Sequence, residues 1–125
     1  MAHAFQDLLV WQRAMEMTVS VYRATRSFPD DEKFGLTSQV RRAAVSVASN
    51  IAEGRGRLTV GEFRQFLGTT QGSNCEIQTQ ILVAKQLKMG QPKLLNEAQS
   101  LSIEVGKMLS ALIASLGAKG PGARS

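Results

Sequence analysis

Histidine and cysteine are nearly missing from this sequence, which holds one of each, His3 and Cys75. A single thiol excludes an intrachain disulfide and is too little for a cysteine zinc site. A single histidine near the N-terminus leaves no base for a serine or cysteine nucleophile, and none of the Glu-x-x-His pairs of a di-metal carboxylate centre. A non-enzymatic protein without metal or cofactor is therefore expected. Aromatic residues make up 6% of the chain, thin for a base-stacking surface, and Trp11, Tyr22, Phe63 and Phe66 fall at helical spacings that assign them to a core. No run approaches the roughly 18–20 apolar residues of a membrane span, and "MAHAFQDLLVWQ" has no basic region leading into an apolar one. A soluble, cytoplasmic chain with no membrane partner is expected. The phosphate-loop pattern G-x-x-x-x-G-K-[ST] is absent, and "GRGR" follows a helix where such a loop follows a strand. Nothing alternates at period two for long enough to make a sheet.

What is present is helical periodicity. With 125 residues, 43% of them hydrophobic and 20% charged, the chain reads as one globular domain. Leu8, Trp11, Met15, Thr18 or Val19, and Tyr22 predict the buried stripe of a first helix over about 7–27, stopped by Pro29. The acidic trio in "FPDDEKFG" favours the start of a second helix over 36–53, closed by Gly54 as a left-handed cap. Its stripe is Val40, Ala44, Val47 and Ile51. Thr59, three residues before Glu62, predicts a capping-box start for a third helix over 60–88. Gly61, Gly68 and Gly72 in its interior cost about 1 kcal/mol each relative to alanine, which implies close backbone approach there. Cys75, beside Ile77, reads as a packed, inert thiol. Pro92 suits the first turn of a fourth helix over 92–116, with Leu94, Ala98, Leu101, Val105, Met108 and Leu112 as its seam. Residues 1–117 are thus predicted to be an all-α, antiparallel up-down four-helix bundle, and 118–125, "AKGPGARS", a disordered basic tail.

Fifteen Lys and Arg against ten Asp and Glu give a net charge of +5, an excess that attracts polyanions. Arginines flank the small-residue helix "RRAAVSVASNIAEGRGR": Arg41 and Arg42 at its head, Arg55 and Arg57 at its tail, with Arg64 one turn into the third helix. Two readings stay open. The five arginines form a phosphate-binding surface, for which the planar guanidinium fork is suited. Alternatively they are salt-bridged to Glu53, Glu62, Glu76 or the acidic loop, within the chain or between subunits.

The blocks "DLLVWQRAMEM", "SQVRRAAVSVASNIAEGRGR" and "EFRQFLGTTQGSNCEIQTQILVAKQL" resemble the four-helix-bundle family typified by the reading frame of intervening sequences in bacterial large-subunit ribosomal RNA genes. The resemblance spans about Phe5 to Ile113; "TTQGSNCE" stands where that family's third helix is more apolar. The resemblance implies a ring-like homopentamer. It also implies kinship to the accessory protein of diversity-generating retroelements, a basic pentamer that binds nucleic acid. The function expected from residues and resemblance together is a homo-oligomer that binds structured RNA or DNA through phosphate contacts with little sequence preference. The alternative is a structural or protein-interaction oligomer.

Overall fold

The computed structural model describes residues 4–119, which form four helices with no strand among them: α1 (Leu9–Thr25), α2 (Leu36–Arg55), α3 (Val60–Gln86) and α4 (Pro92–Lys119). Short 3-10 turns at Phe5–Asp7 and Asp30–Glu32 precede α1 and α2. His3 and positions 120–125, most of the expected tail, lie outside the described residues, and the backbone of α4 continues two residues past Gly117.

Each helix packs on two neighbours, α1 on α2, α2 on α3, α3 on α4, and α4 back on α1. The cross-helix hydrogen bonds run antiparallel. Thr18 and Thr25 of α1 meet Ala44 and Arg41 of α2, and Asn74 and Lys85 of α3 meet Ser102 and Gln99 of α4. The short connections leave no other direction for consecutive helices.

Helix starts follow local chemistry. The Glu32 carboxylate accepts from the Leu36 N–H at 2.9 Å, so the acidic turn does serve α2. The Thr59 hydroxyl accepts from the Glu62 N–H at 3.1 Å and donates to the Glu62 carboxylate, closing the start of α3. At the other end of α3 the Met89 N–H bonds the Ala84 carbonyl at 2.9 Å and the Lys88 N–H bonds the Lys85 carbonyl at 3.1 Å. This is a Schellman closure, and its left-handed residue is Lys88, with φ 56°. A residue bearing a Cβ pays about 1 kcal/mol there that glycine would not.

The core corrects the predicted face of α1. Val10, Ala14, Met17, Val21 and Ala24 are buried, whereas Met15, Val19 and Tyr22 are exposed. The helix carries two apolar stripes, and the one with the smaller side chains, including two alanines, lets α1 sit close to its neighbours. The bulkier stripe is turned outward. In α2 the predicted stripe Val40, Ala44, Val47 and Ile51 is buried as expected. In α4 the seam centres on Leu95, Ala98, Ser102, Val105 and Leu109, while Leu94, Leu101, Met108 and Leu112 are half-buried beside it. Over Pro92–Gly117 this helix is long and apolar enough to cross a bilayer by length and composition alone, its most apolar 18 residues reaching a mean hydropathy of 1.2. That corrects the expectation that no run comes near, although in the bundle its seam is covered by α1 and α3.

The glycines trade roles. Gly54 does not end α2, which continues through Arg55; it is buried, and a Cβ on it would lie 2.6 Å from the Phe66 Cβ and 3.2 Å from a Phe63 ring carbon. It is the point where α2 and α3 touch backbone to side chain. Gly68 and Gly72, predicted to permit such an approach, have nothing within 4 Å of an added Cβ. They share the outward face of α3 with Cys75, which is exposed and therefore not the packed thiol expected; Asn74 and Ile77 take the buried phase around it.

Two buried polar residues stitch α3 to α4. The Asn74 Nδ2 donates to the Ser102 carbonyl at 2.9 Å, and the Ser102 hydroxyl donates to the Asn74 Oδ1 at 2.7 Å. On the surface Arg13 bridges α1 to α4, donating to Glu104 at 2.8 Å and also to Glu16 at 2.9 Å. The hydrogen bond it donates to Glu104 is the main cause that holds its guanidinium pKa above the usual value.

Candidate functional site

The five sequence-selected arginines are not gathered into one patch. Along α2, Arg41 and Arg55 follow the helical phase of Ala44 and Ala48, on the edge that faces α1. Fourteen residues separate them, about 21 Å at a rise of about 1.5 Å per residue. Arg42 lies on the opposite, α3-facing edge, where it lines a polar furrow of about 340 Å³ with Gln39, Ser46, Ser73, Glu76 and Gln80. Arg57 stands beyond the end of α2 on that same side, and Arg64 reaches from α3 to α4.

Each arginine is positioned differently. The Arg41 Nε donates to the buried Thr25 hydroxyl at 2.8 Å, and its guanidinium carbon sits 4.6 Å from the Tyr22 ring centre. The Thr25 hydroxyl itself donates to the Val21 carbonyl at 2.9 Å, so its lone pairs are free to hold Arg41 in place. Tyr22, predicted to be core, is thus a surface platform whose face is taken by a cation. Arg57 pairs with Glu53 at 3.0 Å and stacks 4.8 Å from the Phe66 ring centre. The Arg64 Nε donates to the Ile113 carbonyl at 3.3 Å, and its guanidinium lies so near Gly117 that a Cβ there would be 2.9 Å from Nη2. Arg42 is exposed and Arg55 half-buried, and neither makes a side-chain hydrogen bond among the described residues.

Charge pairing is sparse. Among the described residues the ion pairs are Arg13–Glu16, Arg13–Glu104 and Arg57–Glu53, so of the five arginines only Arg57 meets a carboxylate. The expected pairing with Glu76 is not made, although Glu76 and Arg42 line the same furrow. Glu62 is occupied at the start of α3. In that furrow the Gln80 Oε1 is buried without a donor. Phe63 is buried as predicted, Phe66 is half-buried under Arg57, and Trp11 packs edge-on against Phe5 at 5.2 Å. No group of three or more His, Cys, Asp and Glu side chains arranged to hold a metal occurs among the described residues.

A second set of cations, Lys85, Lys88 and Lys93, lies outside the arginine-rich motif, around the turn from α3 to α4. Their signal was in the sequence "KQLKMGQPK", three lysines bracketing a Gly–Pro turn, which reads first as a helix break.

The family described as 23S rRNA-intervening sequence protein matches residues 6–111. Among solved structures, a protein of unknown function from the S23 ribosomal protein family of Bacteroides thetaiotaomicron superposes with a TM-score of 0.75. The alignment covers 84% of this chain and 98% of that one at 18% sequence identity, a likeness of fold. No curated protein matches the chain. With the matched span taking in all of α1, α2 and α3 and most of α4, the chain belongs to the 23S rRNA-intervening sequence protein family.

Proposed function

We propose that this protein is a non-enzymatic homo-oligomer, assembled as a ring-like homopentamer, that binds structured RNA or DNA through phosphate contacts with little sequence preference. The observation that carries this reading is the set of guanidinium groups left without carboxylates: Arg41, Arg42, Arg55 and Arg64 make no ion pair among the described residues. A guanidinium without a carboxylate keeps its planar fork for phosphate oxygens. The family description, which names the intervening sequence of 23S rRNA, makes RNA the first ligand to test. Because one chain spreads these cations over several edges, repetition in an oligomer is what would line equivalent groups along a nucleic-acid backbone. The outward apolar stripe of Met15, Val19 and Tyr22 supports such self-association.

Filter binding of a base-paired RNA hairpin across a salt series tests the reading. Affinity should fall steeply with salt. Replacing Arg41 and Arg42 by alanine, or Arg55 and Arg57, should weaken binding to unrelated sequences alike and reduce the log–log salt slope by roughly 1 to 2 per pair. The mass by light scattering should be unchanged. No retention at low salt, or an affinity indifferent to salt, would refute it.

A protein-interaction oligomer is the second reading, and it is favoured by Phe34 and Leu58. These side chains are 89% and 96% exposed on the loops before and after α2. Under that reading the Arg41 and Arg42 replacements lower the mass in light scattering and leave RNA retention where it was.

A further inference from the structure

The turn from α3 to α4 borders an open pocket of about 540 Å³, within the roughly 300–1,000 Å³ of small-molecule sites. Met89, Pro92 and Leu95 form an apolar wall, while Lys85, Lys88 and Asn96 supply the polar groups, and no carboxylate lines it. Lys85 is half-buried and donates to the Gln99 Oε1 of α4, which leaves two ammonium protons unassigned. Neither Lys85 nor Lys88 makes an ion pair among the described residues. Lys88 occupies the left-handed position of the helix closure, where glycine would be the more stable residue. Strain of this kind is retained where the side chain serves something other than stability.

We propose that this pocket binds one nucleotide, with the phosphate held by Lys85 and Lys88 and the base lying on the wall of Met89, Pro92 and Leu95. Two requirements meet here that neither half of a nucleotide satisfies alone. Inorganic phosphate would neutralise the ammonium groups and leave the apolar wall wet; a nucleoside would cover the wall and leave the cations unpaired. Lysine suits a phosphate as a compact point charge. The Asn96 amide offers a donor and an acceptor in one group, the complement of an adenine edge. A free mononucleotide and an unpaired nucleotide in a strand present the same chemistry. No arginine lines the pocket, so it stands or falls independently of the phosphate-surface reading.

The test is a set of amide proton–nitrogen spectra of the full chain titrated with AMP, adenosine, inorganic phosphate and single-stranded oligoadenylate. AMP is expected to shift Lys88, Met89, Gly90, Leu95 and Asn96 saturably, with adenosine and inorganic phosphate binding at least tenfold more weakly. Lys88→Gly should melt a few degrees higher, because it relieves the left-handed strain, yet bind AMP at least fivefold more weakly. That combination cannot come from misfolding. Lys85→Met, which keeps an unbranched apolar stem and removes the charge, should show a similar loss of affinity. Shifts from oligoadenylate without shifts from AMP assign the site to an unpaired nucleotide of a strand; shifts from both assign it to nucleotides in either form. Absence of saturable shifts from all four probes, or AMP binding by Lys88→Gly as tight as by the wild type, overturns the proposal. Neither result depends on whether the α2 arginines retain RNA on a filter.

Discussion

Gly54→Ala is expected to lower the thermal midpoint by roughly 5 °C, monitored by circular dichroism at the helical band. An added Cβ would lie 2.6 Å from the Phe66 Cβ and 3.2 Å from a Phe63 ring carbon. Phe63 is buried, so α3 must back away from α2 or both aromatic side chains must leave their rotamers. Such overpacking costs about 1–3 kcal/mol, of which the better helix propensity of alanine returns up to about 1 kcal/mol. At roughly 4 °C per kcal/mol for a chain of this size, the loss is large and easily read. Gly68→Ala and Gly72→Ala supply the contrast. With nothing within 4 Å of either added Cβ, each should stabilise the isolated chain by about 0.5–1 kcal/mol. A Gly54→Ala midpoint within a degree of the wild type would contradict the α2–α3 contact described above.

Asn74→Ala should cost about 3 kcal/mol, measured by urea unfolding. Asn74 and Ser102 are 1% and 0% exposed and exchange two hydrogen bonds of 2.9 and 2.7 Å. Truncating the asparagine strands the Ser102 hydroxyl without its acceptor and opens a void beside it, and a buried polar group so stranded costs about 1–3 kcal/mol. The diagnostic is the double-mutant cycle. Ser102→Ala on the Asn74→Ala background should cost about 1–2 kcal/mol less than on the wild type, because the hydroxyl it removes has already lost its partner. Strictly additive losses would show that the two side chains do not act as a pair.

The four helices and most of their ends were legible in the sequence, because caps act over three or four residues. Thr59 with Glu62 and the carboxylate of Glu32 needed no tertiary information. The stripe of α2 was legible for a related reason: Val40, Ala44, Val47 and Ile51 are that helix's one clear apolar row. In α1 two rows compete, and only the neighbours decide that the one with the smaller side chains goes inside. Ser102, Asn74 and Thr70 were missed in the core because a polar residue is read as surface until its partner on another helix is known. Gly54 and Gly68 look alike in sequence, and what separates them is whether Phe66 stands opposite. The arginines show the same limit at the candidate site. Their spacing along the chain places them at the ends of a helix and turns Arg41 about 100° from Arg42, but it does not say which neighbouring helix each of them meets. Nor does it say that Arg64 is spent partly on the last turns of α4. The family, by contrast, was carried by a contiguous block, which survives without any knowledge of packing.

The exposure of Cys75 gives the chain a single chemical address. It is the sole thiol of the sequence, and it stands open on α3. A maleimide dye or nitroxide placed there labels each chain once without disturbing the core. In an assembly of identical copies the spacing of those labels becomes a ruler: one measured distance between neighbours, set against the distance across the assembly, counts its subunits directly.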